Sequence, residues 1–201
     1  MKRFVILLLA IAVASFAFAE GFGLKAYVAG GVVETGLVGT SLGSYVHNPV
    51  TTGFDVKLGV RKPLADFFEL PDFLPLVAQV GLGFQMNNAK YNVLSDENMM
   101  GVTLNIDALY ALDEVVDIPV VDVAPFLGLK YDGQIYETYY VNVVGLQLGA
   151  MVCYDLSDLV DGLGVELALG QTFDFALSSM VPNVFLAQAY ANLGVSYAFE
   201  F

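Results

Sequence analysis

Residues 99–110 read MMGVTLNIDALY, and their spacing decides the fold class. Met100, Val102, Leu104, Ile106, Ala108 and Tyr110 occupy every second position, with Gly101, Thr103, Asn105 and Asp107 between them. A strand points successive side chains to opposite faces, so this is a ribbon with one apolar face and one small, polar face. A helix would scatter both sets around its circumference.

The same period extends in both directions. Towards the N-terminus it covers 22–32, 52–61 and 76–87, and towards the C-terminus 123–132, 142–154, 163–174 and 185–201. In 52–61, Phe54, Val56, Leu58 and Val60 oppose Asp55, Lys57, Gly59 and Arg61. In 142–154, Val144, Leu146, Leu148, Ala150, Val152 and Tyr154 oppose Gly145, Gln147, Gly149 and Cys153. The 123–132 segment is less regular, because Phe126 falls among Gly128, Lys130 and Asp132. Residues 175–199 carry no charge and are long enough for a membrane helix. They contain Pro182, Asn183, Gln188 and Asn192, however, and their polar residues alternate.

Composition names the solvent. The 201 residues are 57% hydrophobic and only 14% charged, with mean hydropathy +0.66. A soluble domain carries roughly 25% charge, so neither a disordered chain nor an ordinary cytosolic enzyme fits. The net charge of −13 and pI near 4.1 repel phosphate, which argues against nucleic acid. One cysteine, Cys153, leaves no internal disulfide framework and no Cys-rich metal site.

Residues 1–19 form an address. Lys2 and Arg3 precede an apolar run from Phe4 to Phe16, and Ala17-Phe18-Ala19 is a small-x-small cleavage pattern before Glu20. This is the layout of a secretory signal peptide, leaving 20–201 as the exported barrel domain.

Eight strands with an apolar face and a Gly-, Gln-, Asn- and Thr-rich face describe an antiparallel up-and-down barrel in lipid, greasy outside and hydrogen-bonded inside. Closure satisfies every backbone group, which an open sheet in hydrocarbon cannot do. A Lys or Arg on the lipid face at mid-depth costs ~2–4 kcal/mol, so Lys25, Lys57, Arg61 and Lys130 belong inside, and one consistent phase puts all four there. Lys25 and Arg61 fall at a depth similar to Asp107, Glu166 and Glu200, while Asp55, Lys57, Lys130, Asp132 and Asp174 fall in the outer half. An eight-stranded lumen is only wide enough for side chains, so these charges are expected to pair as a polar plug. Aromatics mark two rims: Tyr110, Tyr154, Phe199 and Phe201, and opposite them Phe54, Phe84, Tyr131 and Phe173.

With the N-terminus periplasmic, the loops 33–51, 88–98, 133–141 and 175–184 face outward. The connections 62–75, 111–122 and 155–162 face the periplasm. They are acidic, interrupted by Pro63, Pro71, Pro75 and Pro119, and longer than usual for that side. They read either as a solvated acidic rim or as small helices capping the base.

The C-terminus, LGVSYAFEF, ends in Phe201 with Phe199, Tyr197, Val195 and Leu193 at alternate positions before it. It resembles the C-terminal sorting signal of bacterial outer-membrane barrels. With the leader and eight strands, the chain resembles the small OmpA/OmpX/OmpW-type proteins. That resemblance implies the outer membrane of a diderm bacterium, outer-membrane lipids as surroundings, and the barrel-assembly machinery as a partner through Tyr197, Phe199 and Phe201. It also implies a porin-like shape with a structural, surface-contact or narrow transport role, an OmpW-like lateral route for a hydrophobic solute included.

Candidate chemistry is sparse. His47, the one histidine, neighbours Ser41, Ser44 and Glu34 within one loop, and residues converging from several strands are what a catalytic rim requires. Asp96 and Glu97 could hold a divalent ion only weakly, and Cys153 reads as a small inward filler. No catalytic, metal or cofactor residue is assigned. The function classes are a non-enzymatic outer-membrane barrel, a soluble lipocalin-like lipid binder, which needs the inverse polarity, and an outer-membrane lipid-modifying enzyme.

Overall fold

The computed structural model describes residues 24–40, 51–71, 73–87, 98–116, 121–137, 140–177 and 182–199. The chain runs through β1 (Leu24–Thr40), β2 (Thr51–Pro63), β3 (Leu76–Asn87), β4 (Met99–Tyr110), β5 (Val121–Ile135), β6 (Tyr140–Asp155), β7 (Leu163–Leu177) and β8 (Pro182–Phe199). Each strand pairs antiparallel with the next, and β8 returns to β1 to close the barrel. Every backbone group of these strands can then bond to a neighbour without an edge left over. No helix among the described residues is long and apolar enough to cross a membrane.

The alternation sorts the two faces as the sequence requires. Val28, Phe54, Leu58, Val102, Ile106, Leu129, Leu146, Leu169 and Leu193 are exposed on the outside. Asp55, Arg61, Gln85, Asn105, Lys130, Gln147 and Asn192 are buried inside. An exterior so apolar is a surface for hydrocarbon, since water would leave it uncovered. At ~3.3 Å per residue, a tilted strand the length of β4 crosses the ~25 Å apolar band of such a barrel.

Two features depart from the alternation reading. First, the strands run further at the end away from the termini: β1 takes in 33–40, β5 reaches Ile135, and β7 reaches Leu177. The backbone ladder continues there, with Glu34 opposite Ala189 and Thr35 opposite Gln188, although the apolar/polar contrast has faded. Hydrogen bonding, not amphipathicity, decides where these strands stop. Tyr131 and Phe173 consequently lie four residues inside their strand ends. Second, the connections at the terminal end, expected either as a solvated acidic rim or as small capping helices, contain single 3-10 turns at Leu64–Asp66 and Leu112–Glu114. The third connection closes at Gly162, whose φ of +76° is a left-handed conformation that suits glycine. Its carbonyl accepts from the Ala198 N–H at 2.8 Å, tying the turn to β8.

Lys62 occupies an outward position at the base of β2, where the phase alone exposes it. It is buried, with Nζ 4.9 Å from the Phe67 ring centroid, because the following connection folds Phe67 over it.

Ile106 lies mid-strand on the exposed face, opposite Val80 and Leu129. Ile106→Lys is expected to destabilise the barrel in phosphocholine vesicles by ~2–4 kcal/mol. Urea unfolding followed by circular dichroism measures this, and an unchanged midpoint would place that face out of lipid.

Candidate functional site

The lumen is filled by side chains from all eight strands. Their order from the terminal end outward follows from which residues each strand turns inward at each depth. Near the terminal end, Arg61 of β2 reaches across to Glu166 of β7. Its two terminal nitrogens donate to the two carboxylate oxygens, one at 2.8 Å. The Arg61 Nε donates to Gln79 Oε1 at 2.5 Å, and Gln79 passes the contact on to Asp107 Oδ2 at 2.8 Å. Gln147 donates to the other Asp107 oxygen. The Arg61 guanidinium also stacks 4.3 Å from the Tyr27 ring centroid. A fork-shaped cation against a carboxylate, with its Nε–H also engaged, meets the geometric demand of a buried ion pair.

Further out, two groups share the space. Lys57 lies 3.1 Å from Asp55 Oδ2 and 4.1 Å from the Tyr190 ring centroid, and Asn192 donates to the same Asp55 oxygen at 3.2 Å. Lys130 donates to Gln188 at 2.5 Å and lies 3.6 Å from Asp174 and 3.9 Å from Asp132. Gln134 donates to Asp132 at 2.9 Å and accepts from the Tyr136 hydroxyl at 3.0 Å, extending the chain to the far mouth. Lys25 stands apart at the terminal end, donating to the Cys153 thiol sulfur at 3.4 Å.

Of the inward charges expected from the alternation, Arg61 meets Glu166, Asp55 meets Lys57, and Asp107 is reached through two glutamines. Lys25 faces Cys153, and Glu200 lies outside the described residues. So do His47, Ser41, Ser44, Asp96, Glu97, Phe201 and residues 1–19. Tyr197 and Phe199 meet edge to face on the outside of β8, their ring centroids 4.8 Å apart.

The sequence reading missed the amides and the aromatics that bind the charges together. Gln79, Gln85, Gln147 and Gln188 were visible only as inward-phase polar residues. The aromatics had a signal that pairing reveals: Tyr27 stands opposite Gly59, Phe126 opposite Gly149, and Tyr190 opposite Gly170. A Cβ on Gly59 would come within 2.7 Å of the Tyr27 ring, and one on Gly149 within 2.6 Å of Phe126. Carboxylates use the same device, Asp107 facing Gly128 and Asp174 facing Gly145. These glycines make room for large or charged neighbours.

The interior is also not polar throughout. Met99, Tyr136, Val141, Val143, Ala176 and Leu186 pack into a buried apolar layer at the far mouth. Leu109, Ala124, Phe126 and Met151 form a second one towards the terminal end. Between them, a cavity of about 40 Å³ lies among Tyr27, Lys57, Asp107, Gln147, Tyr190 and Asn192. It accommodates water, not a solute.

No protein-family model matches the sequence, and no curated protein matches it. Solved structures do. The chain is similar to Neisserial surface protein A, with TM-score 0.56 and 15% identity over 88% of this chain and 97% of that one. It is also similar to a major outer membrane protein from Thermus thermophilus, with TM-score 0.52 and 19% identity over 88% and 99%. The likeness is one of fold, and it agrees with the closed eight-stranded antiparallel barrel seen here.

Removing one partner of the buried pair leaves the other charged and uncompensated. Glu166→Leu is therefore expected to cost about 3–5 kcal/mol, and the combined Arg61→Met, Glu166→Leu change to restore most of it. Unfolding midpoints of the three proteins check this, and equal losses in both variants would contradict the pairing.

Proposed function

We propose that this chain, after export and removal of residues 1–19, is an integral outer-membrane barrel. Its work is structural or surface-interacting, with no enzymatic role and no open conduit. The observation that carries this reading is the combination of an apolar outer wall with a lumen filled by a network of charged and amide side chains and two buried apolar clusters. A soluble lipid-binding barrel needs the opposite arrangement, a charged exterior around an apolar hollow. The interior carboxylates Asp107 and Glu166 are engaged by amide and guanidinium donors, which supports a packing role for them over a catalytic one.

The fold resemblance to outer-membrane proteins supports the location, and the pairing of Leu24 with Phe199 at one end of the barrel supports a periplasmic base there. The lipid surroundings follow from the wall itself. The outward Tyr197 and Phe199 on the last strand, with Phe201 beyond them, support recognition by the barrel-assembly machinery.

Four measurements test this reading. The purified protein should migrate differently when boiled, stay with membranes through carbonate extraction, and show no stable large conductance in planar bilayers. Release by carbonate would remove the membrane assignment, and steady conductance from the monomer would remove the sealed lumen. Deleting Phe201 should lower the folded, heat-modifiable fraction in the outer membrane and leave more unassembled chain in the periplasm. An unchanged folded fraction would remove the assembly role.

A further inference from the structure

The three connections at the terminal end share a pattern that strand alternation does not explain. Leu64-Ala65-Asp66-Phe67-Phe68-Glu69, Leu112-Asp113-Glu114-Val115-Val116-Asp117 and Leu156-Ser157-Asp158-Leu159-Val160-Asp161 each run Leu, any residue, acid, apolar doublet, acid. Their backbones close in the same way. The N–H groups of Phe67 and Phe68 both donate to the Leu64 carbonyl, at 3.0 Å each. Those of Val115 and Val116 donate to Leu112 at 3.1 and 2.9 Å, and those of Leu159 and Val160 to Leu156 at 2.8 and 3.1 Å. One sequence thus builds one turn three times, and each copy presents its doublet outward. All six doublet side chains are 47–77% exposed.

These turns lie beyond the strand ends, so the alternation that makes the wall apolar does not extend to them. Exposed apolar side chains are stabilised only once something covers them, and exposed apolar patches mark contact surfaces. A second feature adjoins them. A cavity of about 360 Å³ opens at the same end, with Val77, Leu109, Met151 and Phe199 in its wall and Asp113 and Glu114 of the second turn at its edge.

Charge selects the occupant. Glu69, Glu114, Asp122, Asp155, Asp158 and Asp161 are exposed at this end. The cations described there are committed elsewhere: Arg61 to Glu166, Lys62 beneath Phe67, and Lys25 to Cys153. Segments that lie in lipid headgroups flank their apolar residues with Lys or Arg, whereas here the flanks are carboxylates. A basic protein segment with apolar side chains complements both properties.

We propose that the three repeated turns, with the cavity that the second of them borders, form a docking site for a basic, amphipathic segment of a partner protein. The proposal rests on the membrane-barrel reading above for the lipid cover of the wall.

The test uses the full barrel in phosphatidylcholine nanodiscs, with an environment-sensitive dye on Val160→Cys in a Cys153→Ser background. An 18-residue Lys/Leu amphipathic peptide is the probe, and a Lys/Ser peptide of equal charge is the control. The expected result is a blue shift of the dye with the Lys/Leu peptide, at a midpoint at least tenfold lower than with Lys/Ser. Phe67→Ser with Phe68→Ser, and separately Val115→Ser with Val116→Ser, should shrink that difference while heat-modifiable migration persists. Equal midpoints for the two peptides would reduce the site to a plain acidic surface and overturn the proposal. Quenching of the dye by brominated lipid before peptide is added would assign the turns to the membrane and overturn it as well. Loss of heat-modifiable migration in the unsubstituted protein would count against the barrel reading itself, a separate outcome.

Discussion

Pairing of β8 with β1 is the interaction on which the rest of the structure depends. Without it, β1 and β8 would each expose a row of unpaired N–H and C=O groups to hydrocarbon, at several kcal/mol per group. With it, the wall needs no cover beyond lipid, and side chains are divided into two populations that never mix. Closure at eight strands also limits the interior to a space that side chains fill. Everything inside has to be packed and paired at once.

That demand explains the lumen's layering. Charged groups can be buried only when engaged, and the barrel brings Arg61 to Glu166 and Lys130 to Asp132 and Asp174 from strands far apart in sequence. Glutamines bridge where the charges do not touch. Tyr27, Phe126 and Tyr190 fill the remaining width, each accommodated by a glycine directly across the ladder. The apolar cluster at the far mouth covers the outer part of the network, which strengthens the interactions there, while Arg61 borders the cavity that opens at the terminal end. A lumen so filled stabilises the wall from within.

The base follows different rules. Its turns are outside the alternation, and they reuse one hydrogen-bonding scheme with different apolar residues. Period two leaves 62–75, 111–122 and 155–162 as either an acidic rim or small capping helices, because acids are the visible signal there. The Leu-anchored doublets emerge when the three segments are aligned on their backbone bonds. The far end shows the complementary failure: 33–40 lacks a two-sided pattern yet continues as strand, since a neighbouring backbone is available to bond.

By itself the sequence determined the solvent, the strand count, the phase of every strand and which charges turn inward. All of these follow from a period of two and from the cost of placing charge in hydrocarbon. Val102 and Ile106 could only face lipid once Thr103 and Asp107 did not. Tertiary structure decided who meets whom. The register across each pair set Tyr27 against Gly59, and closure carried Arg61 to Glu166 while leaving Lys25 with Cys153. These contacts join residues on different strands at matched depth, and depth depends on strand tilt and stagger, which no single strand's sequence encodes.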